Sequence, residues 1–234
     1  DPRLLARALD ALAARGLLDA DRLTILHGNH DLASSGGHPR RTADLWRLVI
    51  RFWDPPPMVK ARRRRFYALI GRRAPSVAVQ GPFVKHLANG WRVATIDTVP
   101  IPWRPLRIRD STVIVQHAVG CVRRGDADWL SALAADRSPL LLLTHHFPLD
   151  PPEFHWKPNG LLRHIIREVR VPMAIPDAQR TGLLEAAVAA HVRLLLCGHV
   201  HRARLAFHAD VAIGLNGQSG AGRDSMYFRG ACSI

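Results

Sequence analysis

Three short apolar runs in this chain end in the same way, and that repetition constrains the fold more than any other feature. Leu23–Leu26 runs into His27-Gly28-Asn29-His30-Asp31. Leu140–Thr144 runs into His145-His146, and Val192–Cys197 runs into Gly198-His199-Val200-His201. An apolar run of this length, bounded by glycine or polar residues, reads as a buried strand, and in α/β proteins the loops beyond the carboxyl ends of such strands carry the chemistry. The residue types suit that reading. Glycine lets the backbone come close to a site, while asparagine offers a neutral oxygen, histidine an imidazole and aspartate a carboxylate that can orient one. His199 and His201 flank Val200, so in an extended segment both rings point the same way. His145 and His146 are neighbours, so in an extended segment only one of them would face the site.

These motifs, in this order, resemble the calcineurin-like metallophosphoesterases. The resemblance covers about Leu4 to Asn216. It implies an α/β fold: an αββα sandwich of two mixed β-sheets flanked by helices. The family also carries an Asp-x-His and a Gly-Asp motif before Gly-Asn-His-Asp. Neither stands there in this sequence, which opens on Asp1-Pro2. The chain is therefore read as a fragment whose first strands are missing, and as it stands it is expected to be inactive.

By carry-over, Asn29, His145 and His199 are ligands of one metal ion and His201 of a second, with His146 behind them or facing substrate. His30 resembles the catalytic histidine, with Asp31 setting its tautomer. The implied cofactors are two divalent metal ions, for which mixed nitrogen and oxygen donors suit Mn, Fe or Zn alike. The implied function is a metal-dependent phosphoester hydrolase, phosphodiesterase or phosphomonoesterase, using a metal-bound hydroxide on a phosphoester substrate. The alternative is a non-catalytic scaffold with the same fold. A serine hydrolase is disfavoured, because Gly217-Gln218-Ser219-Gly220-Ala221 has its second glycine one position too early for a nucleophile elbow.

Composition bounds the rest. The 234 residues suit a single domain, 1–234, with 47% hydrophobic content and no apolar run near the ~20 residues that span a bilayer. Cys121, Cys197 and Cys232 are odd in number and widely spaced, so they give neither a disulfide framework nor a metal clip. Cys197 reads as a small core residue, and a reducing, cytoplasmic setting is expected. The net charge of +14 is almost all arginine, as the only lysines are Lys60, Lys85 and Lys157. Such a surplus suits phosphate or anionic lipid. No standard nucleic-acid module is visible, though nucleic acid is not excluded as a partner.

A basic helical insertion is expected at about 38–89. It holds a Ser34–Gly37 loop before it, a helix over Thr42–Trp53, and a Lys60–Arg73 stretch with no acidic residue and with Phe66, Tyr67, Leu69 and Ile70 interleaved. That stretch reads as a solvated helix face, a lid, or a weak membrane-surface contact through 60–73 that would place the protein peripherally at a membrane. Elsewhere the pattern predicts a first helix beginning at Pro2, with Asp1 as its cap and Gly16 at its exit. It predicts strands over Trp91–Asp97, Thr112–His117, Arg204–His208 and Val211–Asn216. Helices are predicted over Asp126–Ala135, Leu161–Val169 and Asp177–Ala190.

Overall fold

A computed structural model describes residues 2–19, 21–28, 56–74, 77, 81–99, 106–115, 119–149, 154–157, 163–199 and 204–215. Among these the chain is mixed α/β, with two mixed sheets and four α-helices. Helix α1 (Pro2–Ala13) opens on proline and is followed by Gly16 in a left-handed conformation, φ +64°. That glycine lets the chain turn back after the last helical carbonyls. Helix α2 (Pro56–Arg73) carries the basic stretch and has no acidic residue in its first turn.

The strands follow as β1 (Phe83–His86), β2 (Arg92–Thr95), β3 (Leu106–Arg109) and β4 (Thr112–Val115). Helix α3 (Arg124–Ala132) runs into a short 3-10 turn, Leu133–Ala135. Then come β5 (Leu140–Leu143), β6 (Phe154–Trp156), β7 (Glu168–Val171), helix α4 (Asp177–Ala189), β8 (Val192–Cys197), β9 (Arg204–His208) and β10 (Val211–Leu215).

The larger sheet has the order β1-β2-β5-β8-β10-β9. Its central strands β2, β5, β8 and β10 are parallel, with antiparallel β1 and β9 at the edges. Parallel strands need crossovers, and α3 and α4 supply them before β5 and β8. The register aligns Ala94, Leu142, Leu195 and Ile213 in one row. All four are buried, and Leu130, Leu183, Leu184 and Ala187 of the helices pack into the same core. The one-row shift to Thr95, Leu143, Leu196 and Gly214 reaches the opposite face. There a Cβ on Gly214 would stand 2.8 Å from Leu196 Cδ2, so glycine is what the packing admits. The second sheet has the order β3-β4-β7-β6, with β4 and β7 parallel and the outer pairs antiparallel.

Three expectations need correction. The Leu161–Val169 segment is not one helix: Arg163 and His164 are 3-10 helical, and Glu168–Val171 is a strand paired with both β4 and β6. Its alternating Val169 and Val171 fit a pleated surface once partners lie on both sides, and that tertiary pairing outweighs a weak local helical pattern. The Leu23–Leu26 run is not a strand either. Leu23 and Ile25 instead pack with Leu5, Leu9, Leu18, Phe66 and Ile70, so their apolar surface holds α1 and α2 together. The expected single helix at 126–135 is divided into α3 and the 3-10 turn.

The basic stretch of α2 is not uniformly solvated. Val59 and Ile70 are buried and Phe66 packs on the α1 cluster, whereas Lys60, Arg64, Arg65, Arg72 and Arg73 are exposed. Among the described residues no helix is long and apolar enough to cross a membrane. The Thr42–Trp53 helix, the Ser34–Gly37 loop, the Asp1 cap and residues 217–221 lie outside the described residues.

Candidate metal centre

Because β2, β5 and β8 are parallel neighbours, their carboxyl ends open on one side of the sheet. Backbone bonds continue past the ladder and keep the three loops side by side. Ile96 N donates to Leu143 O at 3.1 Å, Thr144 N to Leu196 O at 3.0 Å, and Gly198 N to His145 O at 3.1 Å. Three imidazoles converge there. His145, His146 and His199 each offer a nitrogen, and these atoms lie within 4.8 Å of one another.

His145 Nε2 is 3.1 Å from His199 Nδ1. Two nitrogens held by one tetrahedral ion at 2.0–2.1 Å stand ~3.4 Å apart, so this separation fits either a hydrogen bond or one edge of a coordination shell. The rings are mutually tilted, with centroids 4.9 Å apart for His145–His146, 4.9 Å for His145–His199 and 4.3 Å for His146–His199. His199 takes φ 73°, a left-handed backbone that few non-glycine residues adopt. Such strain concentrates at functional sites.

Alternation along an extended strand would let only one of the adjacent pair face the site. That rule holds for an extended chain, and the chain bends at His145 and His146, so both rings reach the cluster. His146 is fully buried and is held by Thr98. Its backbone N–H donates to Thr98 Oγ1 at 3.0 Å, and its Nδ1 lies 2.9 Å from the same oxygen. A hydroxyl oxygen can accept twice. With Nδ1–H donating to Thr98, the lone pair sits on Nε2, the tautomer a metal ligand needs.

Glycines set the walls. A Cβ on Gly28 would stand 2.7 Å from His145 Cε1, and one on Gly120 would stand 2.7 Å from His146 Cγ. Gly28 thus brings the start of the first motif against the histidine cluster, and only a residue without a side chain can approach so closely.

Of the residues expected at the site, the structure brings His145 and His199 together. Asn29, His30, Asp31 and His201 lie outside the described residues. His146, expected behind the ligands or facing substrate, is a member of the cluster; two participants were not singled out from sequence, Thr98 beneath it and Asp97 beside Thr98. Asp97-Thr98 follows the apolar run Val93–Ile96 as the histidines follow theirs, and that was the available signal. The donor set fits a metal ion: three neutral nitrogen donors, convergent and largely buried, with a hydrogen-bonded partner behind one of them. The chain matches no known protein-family profile and no curated protein.

Proposed function

We propose that this protein is a metal-dependent phosphoester hydrolase related to the calcineurin-like metallophosphoesterases. The observation that carries the reading is the convergence of His145, His146 and His199 at the carboxyl ends of two adjacent parallel strands. It is the arrangement expected when motifs far apart in sequence serve one site.

In this reading His145, His146 and His199 hold a divalent ion, Mn, Fe or Zn. The resemblance adds Asn29 and His201 as further donors and implies a second ion. A divalent ion so held supplies Lewis acidity toward a phosphoryl oxygen and activates water near neutral pH. The protein's own groups do the rest. Thr98 and Gly28 fix the orientation of His146 and His145. His30 is assigned to the leaving oxygen, where it stabilises developing charge or delivers a proton, and Asp31 to holding its tautomer. The arginine surplus offers an anionic substrate a favourable field.

The test is a panel of phosphomonoesters, phosphodiesters and cyclic nucleotides assayed with the full-length protein and Mn²⁺, alongside His199→Ala and His30→Ala. Hydrolysis is expected. His199→Ala should lower metal content, while His30→Ala keeps metal and lowers turnover by roughly 10²–10⁴. Metal uptake with no hydrolysis of any phosphoester would replace this reading with that of a non-catalytic scaffold.

A further inference from the structure

A second polar cluster surrounds His27, and the proposed chemistry does not use it. His27 is 1% exposed. Its Nδ1 is 2.6 Å from the Tyr67 hydroxyl, and its Nε2 is 3.1 Å from Asp97 Oδ1 and 3.0 Å from Arg63 Nη2. Arg63 also pairs with Asp97 Oδ2, and Val99 N donates to Asp97 Oδ1 at 2.9 Å.

A proton arrangement in which His27 links Tyr67 to Asp97 fits these contacts. A guanidinium only donates, so Nε2 cannot accept from Arg63 while donating to Asp97. With Tyr67 O–H donating to Nδ1, Nε2–H is free to donate to Asp97, and Arg63 completes the carboxylate. Burial opposes ionisation of Asp97, yet the His27 hydrogen bond and the Arg63 charge beside it hold its carboxyl below the usual carboxylate range. Burial, then the Asp97 charge, push the Tyr67 phenol up to about 12, which keeps it a donor at neutral pH.

The placement of this cluster matters more than its stability. Apolar contacts already hold α2 on α1 through Ile70 and Phe66. A buried polar network adds geometric definition, since each member tolerates few orientations. His27 is bonded covalently to Gly28, which lies against the His145 ring. Asp97 is bonded covalently to Thr98, which holds His146. One network therefore reaches both adjacent histidines from below.

We infer that His27, Asp97, Arg63 and Tyr67 are positioning residues for the histidine cluster: they fix Gly28 against His145 and tie it, through Asp97-Thr98, to His146. This rests on the reading of His145, His146 and His199 as a metal centre. Partners behind metal ligands typically contribute 10–100-fold to metal affinity.

The test uses the full-length protein and Co²⁺ alone, read by calorimetry and by the visible absorption of bound cobalt. Tyr67→Phe removes one oxygen and keeps the ring packing. It should weaken Co²⁺ binding by roughly 10–100-fold and alter the cobalt spectrum. His27→Ala should do the same, and His27→Gln, whose amide N–H can donate to Asp97, should recover most of the loss. A folded Tyr67→Phe variant with unchanged affinity and spectrum would overturn the inference, as would a His27→Gln variant no better than His27→Ala. If His27→Ala does not fold, Tyr67→Phe decides. Wild-type protein that takes up no Co²⁺ overturns the metal-centre reading and this inference with it. Uptake that ignores Tyr67→Phe overturns this inference alone.

Discussion

At the scale of the residue, small differences in environment separate groups that look alike in sequence. Cys197 is buried at the end of β8, with its thiol donating to Gly214 O at 3.4 Å. Burial pushes that thiol up to about 12. Only the thiolate reacts with alkylating agents, so Cys197 should remain unmodified by iodoacetamide at pH 8 in the native protein and be modified once urea unfolds it. Peptide mapping by mass spectrometry reads the difference, and rapid native labelling at Cys197 would contradict its placement. Gly28 is the complementary case. Alanine there would put a methyl 2.7 Å from His145 Cε1, closer than atoms can pack, so the ring or the loop must move. Gly28→Ala should cost about 1–3 kcal/mol of stability, the usual range for overpacking, and should also lower metal affinity. Thermal melts with and without metal check both. A variant unchanged in both would show that the loop yields freely.

At the scale of the element, Arg92 shows how the sheet is joined to its crossover. It begins β2 and is 1% exposed, an unusual place for a guanidinium. Its Nη1 donates to Leu133 O at 2.9 Å, and its Nη2 to Asp136 O at 2.5 Å and Ser138 O at 2.7 Å. These carbonyls lie along and just after the 3-10 turn, where Leu133 O also accepts from Asp136 N at 3.2 Å. Arg92 thus caps that turn and fixes the entry into β5, which carries His145 and His146. The Asp136 carboxyl adds a second tie. The backbone N–H of Ser138 holds it below the usual carboxylate range. Arg92→Met should take the guanidinium donors from the half-buried Asp136 and Ser138 carbonyls and destabilise the fold by about 2–4 kcal/mol, since each unsatisfied group costs roughly 1–3 kcal/mol. Urea unfolding of the purified variant measures it. A loss under about 1 kcal/mol would mean water replaces the guanidinium.

At the scale of the whole molecule, the histidine cluster joins two strand ends and the close-packed start of a third segment, so a ligand bound there should stabilise the fold. Metal bound only by the native state contributes RT ln(1 + [L]/Kd), about 2.7 kcal/mol at a hundredfold excess over Kd. For a chain of this size each kcal/mol moves Tm by about 2–4 °C, so Mn²⁺ or Zn²⁺ should raise Tm by roughly 5–10 °C. EDTA should abolish the shift and His199→Ala should lack it. Melting curves indifferent to every divalent ion would remove the metal from the site.

The sequence alone carried the periodic elements and the strand-end motifs, because both are local. The one-face spacing of Leu5, Leu9 and Leu12 in α1 and the apolar runs of β5 and β8 are written in consecutive residues, and so is the placement of His145 and His199 just beyond those runs. Tertiary structure decided what depends on neighbours distant in the chain. Glu168–Val171 became a strand only because β4 and β6 flank it, and Leu23–Leu26 spent its apolar surface on α1 and α2 instead of on a ladder. His146 entered the cluster through a bend that alternation does not foresee. His27 and Asp97, with no ligand spacing to mark them, acquired partners because α2 docks Arg63 and Tyr67 beside them. Hydrophobic pattern is a property of the segment; the geometry of a polar cluster belongs to the packed whole, since each hydrogen bond requires a partner the local sequence cannot name.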